Sequence, residues 1–147
     1  MPQHPLLPIE EVSPNLVTYT CHCHCGAIKF SATLPSVLET PVLRCNCSAC
    51  TRFGYLLVYP KAGDVVFSRG EQELKSYRFG TKTLPHRFCG TCGSSLLIDF
   101  ADAQTDMLRG LVGLNLRCFA DAEALLPKVQ YKDVDGWGML NPPYSVE

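Results

Sequence analysis

Cys89-Gly90-Thr91-Cys92-Gly93 is the stretch on which the fold of this chain turns. A C-x-x-C-G run makes a tight knuckle. It presents two thiolates to one metal ion, and its glycine falls where φ turns positive. One knuckle is half of a tetrahedral site, so a second pair of ligands must come from elsewhere. Cys21-His22-Cys23-His24-Cys25-Gly26 offers that pair. In an extended segment residues i and i+2 point to the same side, so Cys23 and Cys25 can meet one ion. Gly26 then relieves the chain just after them. Cys23, Cys25, Cys89 and Cys92 thus read as a Cys₄ zinc site that pins the ends of a sheet. Loss of the metal should cost the chain its stability. By the same alternation His22 and His24 face away from that metal, toward solvent or in a supporting role.

Cys45-Asn46-Cys47-Ser48-Ala49-Cys50 reads differently, because C-x-C-x-x-C offers three thiolates from one short run. Structural zinc sites take four protein ligands, whereas catalytic ones keep three and an open position. Zinc held by three thiolates is a weak Lewis acid. It is suited to taking a fourth thiolate from a substrate and keeping it deprotonated near neutral pH. The alternative is a closed structural site, with Cys21, His22, His24 or His86 as the fourth ligand. Cys118 stands alone in an apolar stretch, where free cysteine is usually core. His86, three residues before Cys89, reads as a surface residue.

The segments between the clusters are short strands. Residues 27–34 alternate with period two and place Ile28, Phe30 and Leu34 on one face. Further strands are expected at 42–44, 55–59, 64–68, 74–79, 95–100, 110–116 and 128–132. Helix is confined to one or two turns over 119–126, stopped by Pro127, and a turn at 51–53 behind the second cluster. Frequent Gly and Pro punctuation between short strands indicates a mainly β domain. Residues 1–15 form an N-terminal arm, 16–137 the zinc-binding domain and 138–147 a tail, extended over Asn141-Pro142-Pro143-Tyr144.

Composition excludes several functions. The 147 residues suffice for a single domain, and 46% hydrophobic content is enough for a core. Thirteen Lys and Arg against fourteen Asp and Glu leave no basic footprint for nucleic acid. No apolar run nears the ~20 residues that cross a bilayer. Met1-Pro2-Gln3-His4-Pro5 lacks the basic and apolar regions of a secretory signal, which points to the reducing cytoplasm. There, metal rather than disulfides is the leading use for a chain with nine cysteines.

Tyr19-Thr20-Cys21-His22-Cys23-His24-Cys25-Gly26-Ala27-Ile28, then Cys45-x-Cys47-Ser48-x-Cys50, then Arg87-Phe88-Cys89-x-x-Cys92-Gly93 resembles the glutathione-dependent formaldehyde-activating enzyme family, which also contains the centromere protein V-like proteins. Gly70, Leu74 and Tyr77, residues 113–118 and Asp135-Gly136 are similar to its pattern as well. The resemblance covers 16–137. It implies an Mss4-like β-tent, a small single domain stapled by two zinc ions. It implies a structural zinc on Cys23, Cys25, Cys89 and Cys92, and a catalytic one on Cys45, Cys47 and Cys50 whose open position takes the glutathione thiol. The activity it implies is that of a carbon–sulfur lyase, which adds glutathione to formaldehyde or runs in reverse. Position 21 is Cys where similar sequences more often carry Gly. Thr51-Arg52-Phe53-Gly54 departs from an Arg-rich continuation, and both differences bear on the choice of electrophile.

The expected function is therefore a zinc enzyme that joins a thiol such as glutathione to a small electrophile such as an aldehyde, or separates them. Arg44, Arg52, Arg78 and Arg87 flank the clusters, and Arg is the natural bidentate partner of glutathione's carboxylates. Phe53 and Tyr55 read as core, with a pocket wall as the alternative, and Trp137 as a packing anchor. A rival is a non-catalytic zinc module that binds a protein partner, although the chain lacks the basic segment that charge-driven docking wants. A metal or redox buffer that uses the extra Cys21 is the third reading.

Overall fold

Ten strands divide between two sheets in the computed structural model, which describes residues 4–139 and 144–146. In chain order they are β1 (Leu16–His22), β2 (Lys29–Pro35), β3 (Val42–Cys45), β4 (Leu57–Val58), β5 (Val65–Arg69), β6 (Leu74–Tyr77), β7 (His86–Cys89), β8 (Ser95–Asp99), β9 (Val112–Asn115) and β10 (Tyr131–Val134). The smaller sheet runs β1-β2-β5 and is antiparallel throughout. The larger runs β10-β3-β4-β9-β8-β7-β6, antiparallel except for the parallel pair β10–β3. The short helices are α1 (Ser48–Phe53), α2 (Ala122–Leu125) and α3 (Gly136–Met139). The domain is mainly β, as the strand pattern led us to expect.

The period-two face of β2 is the clearest link from sequence to packing. Ile28, Phe30, Ala32 and Leu34 are buried, while Lys29 is exposed and Ser31 and Thr33 are half-buried. Together with Leu96, Leu114 and Leu116 the buried four form the larger apolar core. Leu43, Leu57, Ile98 and Phe100 form a second, and Leu7 and Val12, ahead of β1, are buried with them. Neighbouring Leu97 and Ile98 of β8 fall in different cores, as the pleat requires of a strand covered on both faces.

Several expectations shift. Only Leu57–Val58 of the stretch 55–59 pairs as a strand. The last strand starts at Tyr131 rather than Lys128, because the amides of Lys128 and Val129 both donate to Leu125 O and prolong the turn of α2. β7 is a strand that residue alternation did not announce. Residues 141–143 of the expected extended tail lie outside the described residues. Among the described residues no helix is long and apolar enough to cross a membrane.

Topology then positions the cysteines. The β1–β2 turn of the small sheet carries Cys23 and Cys25, and the β7–β8 turn of the large sheet carries Cys92 just after Cys89 ends β7. The parallel pair aligns Val134 with Cys45, so the chain leaving β10 passes directly over the second cysteine cluster.

Candidate metal centres and the adjoining cavities

The four sulfurs of Cys23, Cys25, Cys89 and Cys92 all lie within 4.8 Å of one another. Cys23 Sγ is 3.6 Å from Cys25 Sγ, and Cys25 Sγ is 3.8 Å from Cys89 Sγ. Zn–S bonds of about 2.3 Å at tetrahedral angles place sulfurs about 3.8 Å apart, so these two spacings are close to those a zinc ion would set. Backbone amides also point at the sulfurs: Ile28 N donates to Cys23 Sγ at 3.3 Å, and Thr91 N to Cys89 Sγ at 3.4 Å. Gly26 and Gly93 have φ of 79° and 78°, so both knuckles close through a left-handed glycine. One detail differs from expectation. β1 ends at His22, and Cys25 reaches its place through a turn closed by Gly26 N to Cys23 O at 3.1 Å, not by strand alternation. His22 and His24 are exposed and face solvent.

The second set is built by a strand end and a helix start. Cys45 closes β3, Cys47 caps the N-terminus of α1 by accepting from Cys50 N at 3.4 Å, and Cys50 lies in its first turn. Their three sulfurs lie within 4.8 Å of one another, and no further His, Cys, Asp or Glu of the described residues joins them. Hydrogen bonds from the Cys45 and Cys50 thiols hold Cys47 far below the ordinary thiol range. The cluster is thus ready to carry negative charge, as a metal ligand must.

None of the offered fourth ligands is in reach. Cys21 is wholly buried in the larger core, paired with Phe30 and bridged to Phe119. Burial, and then the charge of Cys118, push its thiol up to about 12. Cys118 is buried as expected and donates to Ser95 O at 3.2 Å. His86 corrects the surface reading: it is 6% exposed, with Nδ1 3.2 Å from Tyr55 Oη. Burial lowers its pKa to about 4 and keeps the imidazole neutral. Burial, reinforced by the charge of Cys50, raises the Tyr55 phenol above its usual value.

Residues from β10 onward complete the surroundings. A β-carbon on Gly136 would collide with Cys45 Sγ and come 3.2 Å from Cys47 Cβ, so only glycine fits there. Asn46 secures the approach from within the cluster. Its Nδ2 donates to Asp135 Oδ1 at 3.0 Å, and its Oδ1 accepts from Trp137 N at 2.9 Å. Sequence reasoning did not assign Asn46 a role, and Asp135-Gly136 was a signal only through the family pattern.

Two cavities meet at Phe53 of α1, the helix that also carries Cys50. The first, about 540 Å³, is lined by Ser48, Arg52, Phe53, Tyr77, Phe79 and Trp137, among others. The second, about 530 Å³, is lined by Phe53, Tyr55, Tyr77, His86, Phe88 and Ser95 with Gly93. Phe53 and Tyr77 belong to both, their rings edge to face at 6.0 Å. Phe53 is therefore a pocket wall, not core, and Trp137 is half-exposed rather than a packing anchor. Tyr55 is both buried and lining. Of the four flanking arginines, Arg44 pairs with Asp133 at 2.7 Å, Arg78 donates to Lys82 O, and Arg87 Nε is buried without a partner among the described residues. Arg52 lines the first cavity, its Nη1 bonded to Ser48 O at 3.2 Å.

Fold and site together define a small β domain with one four-cysteine and one three-cysteine cluster able to hold metal ions. The family described as glutathione-dependent formaldehyde-activating enzyme matches residues 18–132, and the chain belongs to it. Membership gives the protein a glutathione-related enzymatic role. The chain is also similar to a solved structure of a Rhodobacter sphaeroides protein. That match has 28% identity and a TM-score of 0.61 over 77% of this chain and 99% of the other.

Proposed function

We propose that the protein is a zinc-dependent enzyme of the carbon–sulfur lyase type, adding glutathione or a similar thiol to an aldehyde and releasing it in reverse. The observation that carries this reading is the second cluster, where three sulfurs converge and no fourth ligand joins among the described residues. Cys23, Cys25, Cys89 and Cys92 would hold a structural ion and Cys45, Cys47 and Cys50 the working one. When bound there, zinc supplies an open tetrahedral position at which a thiol is held deprotonated near neutral pH. Thiol-rich sites of this geometry select zinc over harder divalent ions.

The chain's own residues do the rest. Arg52 offers a carboxylate partner for the thiol substrate in the first cavity. Phe53, Tyr77 and Trp137 shield the thiol from water. Tyr55 Oη keeps its proton and is the group we assign to meet the oxygen of the electrophile, with neutral His86 behind it. We take residues 16–137 as the working domain and the reducing cytoplasm as the setting that keeps its thiols available.

Cobalt substitution tests the reading. Glutathione should change the visible spectrum of the cobalt-loaded protein, S-methylglutathione far less, and Cys50→Ala should abolish the change while the first metal stays bound. A spectrum indifferent to glutathione would mean a closed structural site and favour a non-catalytic zinc module.

A further inference from the structure

We propose that the electrophile is a neutral aromatic aldehyde rather than a one-carbon one, seated in the second cavity while the thiol lies along the first. This deepens the thiol-addition reading and rests on it. Charge divides the two cavities. Among the described residues Arg52 is the single charged side chain lining the first. Among the described residues the second is lined by no formally charged group, since His86 is held neutral by burial. A tripeptide with two carboxylates suits the former and an uncharged apolar group the latter.

Size argues the same way. A one-carbon aldehyde is comparable to a water or two, at roughly 30 Å³ each. The second cavity, at about 530 Å³, lies in the range that holds drug-sized ligands. Its walls are aromatic: Phe53 meets Tyr55 at 82° and Tyr77 at 84°, and Phe53 and Tyr55 each lie within 6.0 Å of His86. Edge-to-face walls accept one more ring in the arrangement aromatic pairs prefer. A small hydrated aldehyde would gain nothing from them.

Exposure is the independent observation. Phe53 (36%), Tyr77 (41%) and Trp137 (50%) stand half open around these cavities instead of packing away. Contiguous open apolar surface of this kind marks a binding site. The step itself is balanced and involves no change in oxidation state. The thiol sulfur bonds to the carbonyl carbon, the C=O π pair moves to oxygen, and the thiol's proton ends there, giving the hemithioacetal.

Binding to the zinc-loaded full chain tests this without turnover. S-benzylglutathione has no thiol proton and would fill both cavities, whereas S-methylglutathione would fill one. The expected result, by titration calorimetry, is at least roughly tenfold tighter binding of the benzyl conjugate, the scale of selectivity an apolar pocket gives. Phe53→Ala should erase most of that preference. Tyr77→Ala, on the exposed edge strand β6, provides a second variant should the helix variant not fold. In turnover, both should lower kcat/KM for benzaldehyde more than for acetaldehyde, by about tenfold in the ratio. Equal binding of the two conjugates, or a preference untouched by both variants, overturns the aromatic assignment. The thiol-addition reading would survive that result if glutathione still shifts the cobalt spectrum, and fall only if it does not.

Discussion

Gly136 rests directly on Cys45, and no side chain fits between its α-carbon and the cysteine sulfur. The contact joins residues far apart in sequence and follows from the parallel register that sets Val134 beside Cys45. The segment that follows β10 thus rests on the second cluster, with Asn46 fastening it from the cluster side.

Replacing Gly136 with Ala should push β10 off the cluster. Overpacking of this kind costs about 1–3 kcal/mol. The expected outcome is a lower melting temperature and weaker metal retention at Cys45, Cys47 and Cys50, with the first set still loaded. Metal analysis after mild chelation, alongside a thermal melt, checks both halves. Retention of both metals at wild-type affinity would show that the close approach carries no strain.

The two cysteine sets should also differ in what they do for folding. Cys23 and Cys25 come from the small sheet's β1–β2 turn and Cys89 and Cys92 from the large sheet's β7–β8 connection, so a metal held by all four would cross-link the sheets. Cys45, Cys47 and Cys50 are local to one turn. Native mass spectrometry should give two zinc ions per chain. Cys89→Ser should leave little soluble protein, because structural zinc binding is folding free energy. Cys47→Ser should stay soluble with one zinc. Equal loss in both variants would remove the distinction between a structural and a working ion.

How much of this was open to a reader of the sequence depends on the range over which each feature is set. Ligand spacing is local, so the membership of both cysteine sets could be read from C-x-C-G, C-x-C-x-x-C and C-x-x-C-G. The buried face of β2 is equally local, since alternation alone orients Phe30 against Lys29. Parallel pairing of β3 with β10 is not local. Nothing in Tyr131-Lys132-Asp133-Val134 names its partner, and so the roles of Asn46 and Gly136 were hidden. His86 was misplaced because β7, His-Arg-Phe-Cys, has no apolar alternation to announce a strand. Phe53 was misplaced because hydrophobicity predicts burial, and a binding cavity is where that rule fails.

Asn46 invites a test through Trp137, the only tryptophan. Its side chain donates to Asp135 and accepts from the Trp137 amide, so Asn46→Ala should loosen the loop that places the indole beside the first cavity. Asn46→Asp should be worse than Ala, because it loses the donor and sets a carboxylate against Asp135. The expected readout is a shift in tryptophan emission and easier quenching by a neutral quencher, with glutathione affinity reduced roughly tenfold, in line with a contact worth about 1 kcal/mol or slightly more. Unchanged emission in both variants would place the anchoring of Trp137 elsewhere.

Acid should weaken the fold through His86. Its pKa is lowered from the ordinary histidine value of 6.5 to about 4 by burial. The unfolded chain therefore takes up a proton before the folded one does. Stability from the neutral imidazole is fully present above pH 6.5 and is lost as pH falls toward 4. At the acid end the loss is on the order of 3 kcal/mol for this group, since each tenfold difference in proton affinity between the folded and unfolded chain is worth about 1.4 kcal/mol. His4, lowered to about 4 for the same reason, titrates in the same window, so the contribution of His86 is read as a difference between proteins. His86→Gln keeps a polar neighbour for Tyr55 Oη but cannot take the proton. With zinc in excess, its unfolding free energy should start lower than that of the wild type at pH 7.5. It should then fall less steeply between pH 6.5 and 4, so that the two curves converge on the acid side. Parallel curves across that range would mean that His86 does not supply the acid sensitivity, and that His4 or release of metal from the cysteine clusters does.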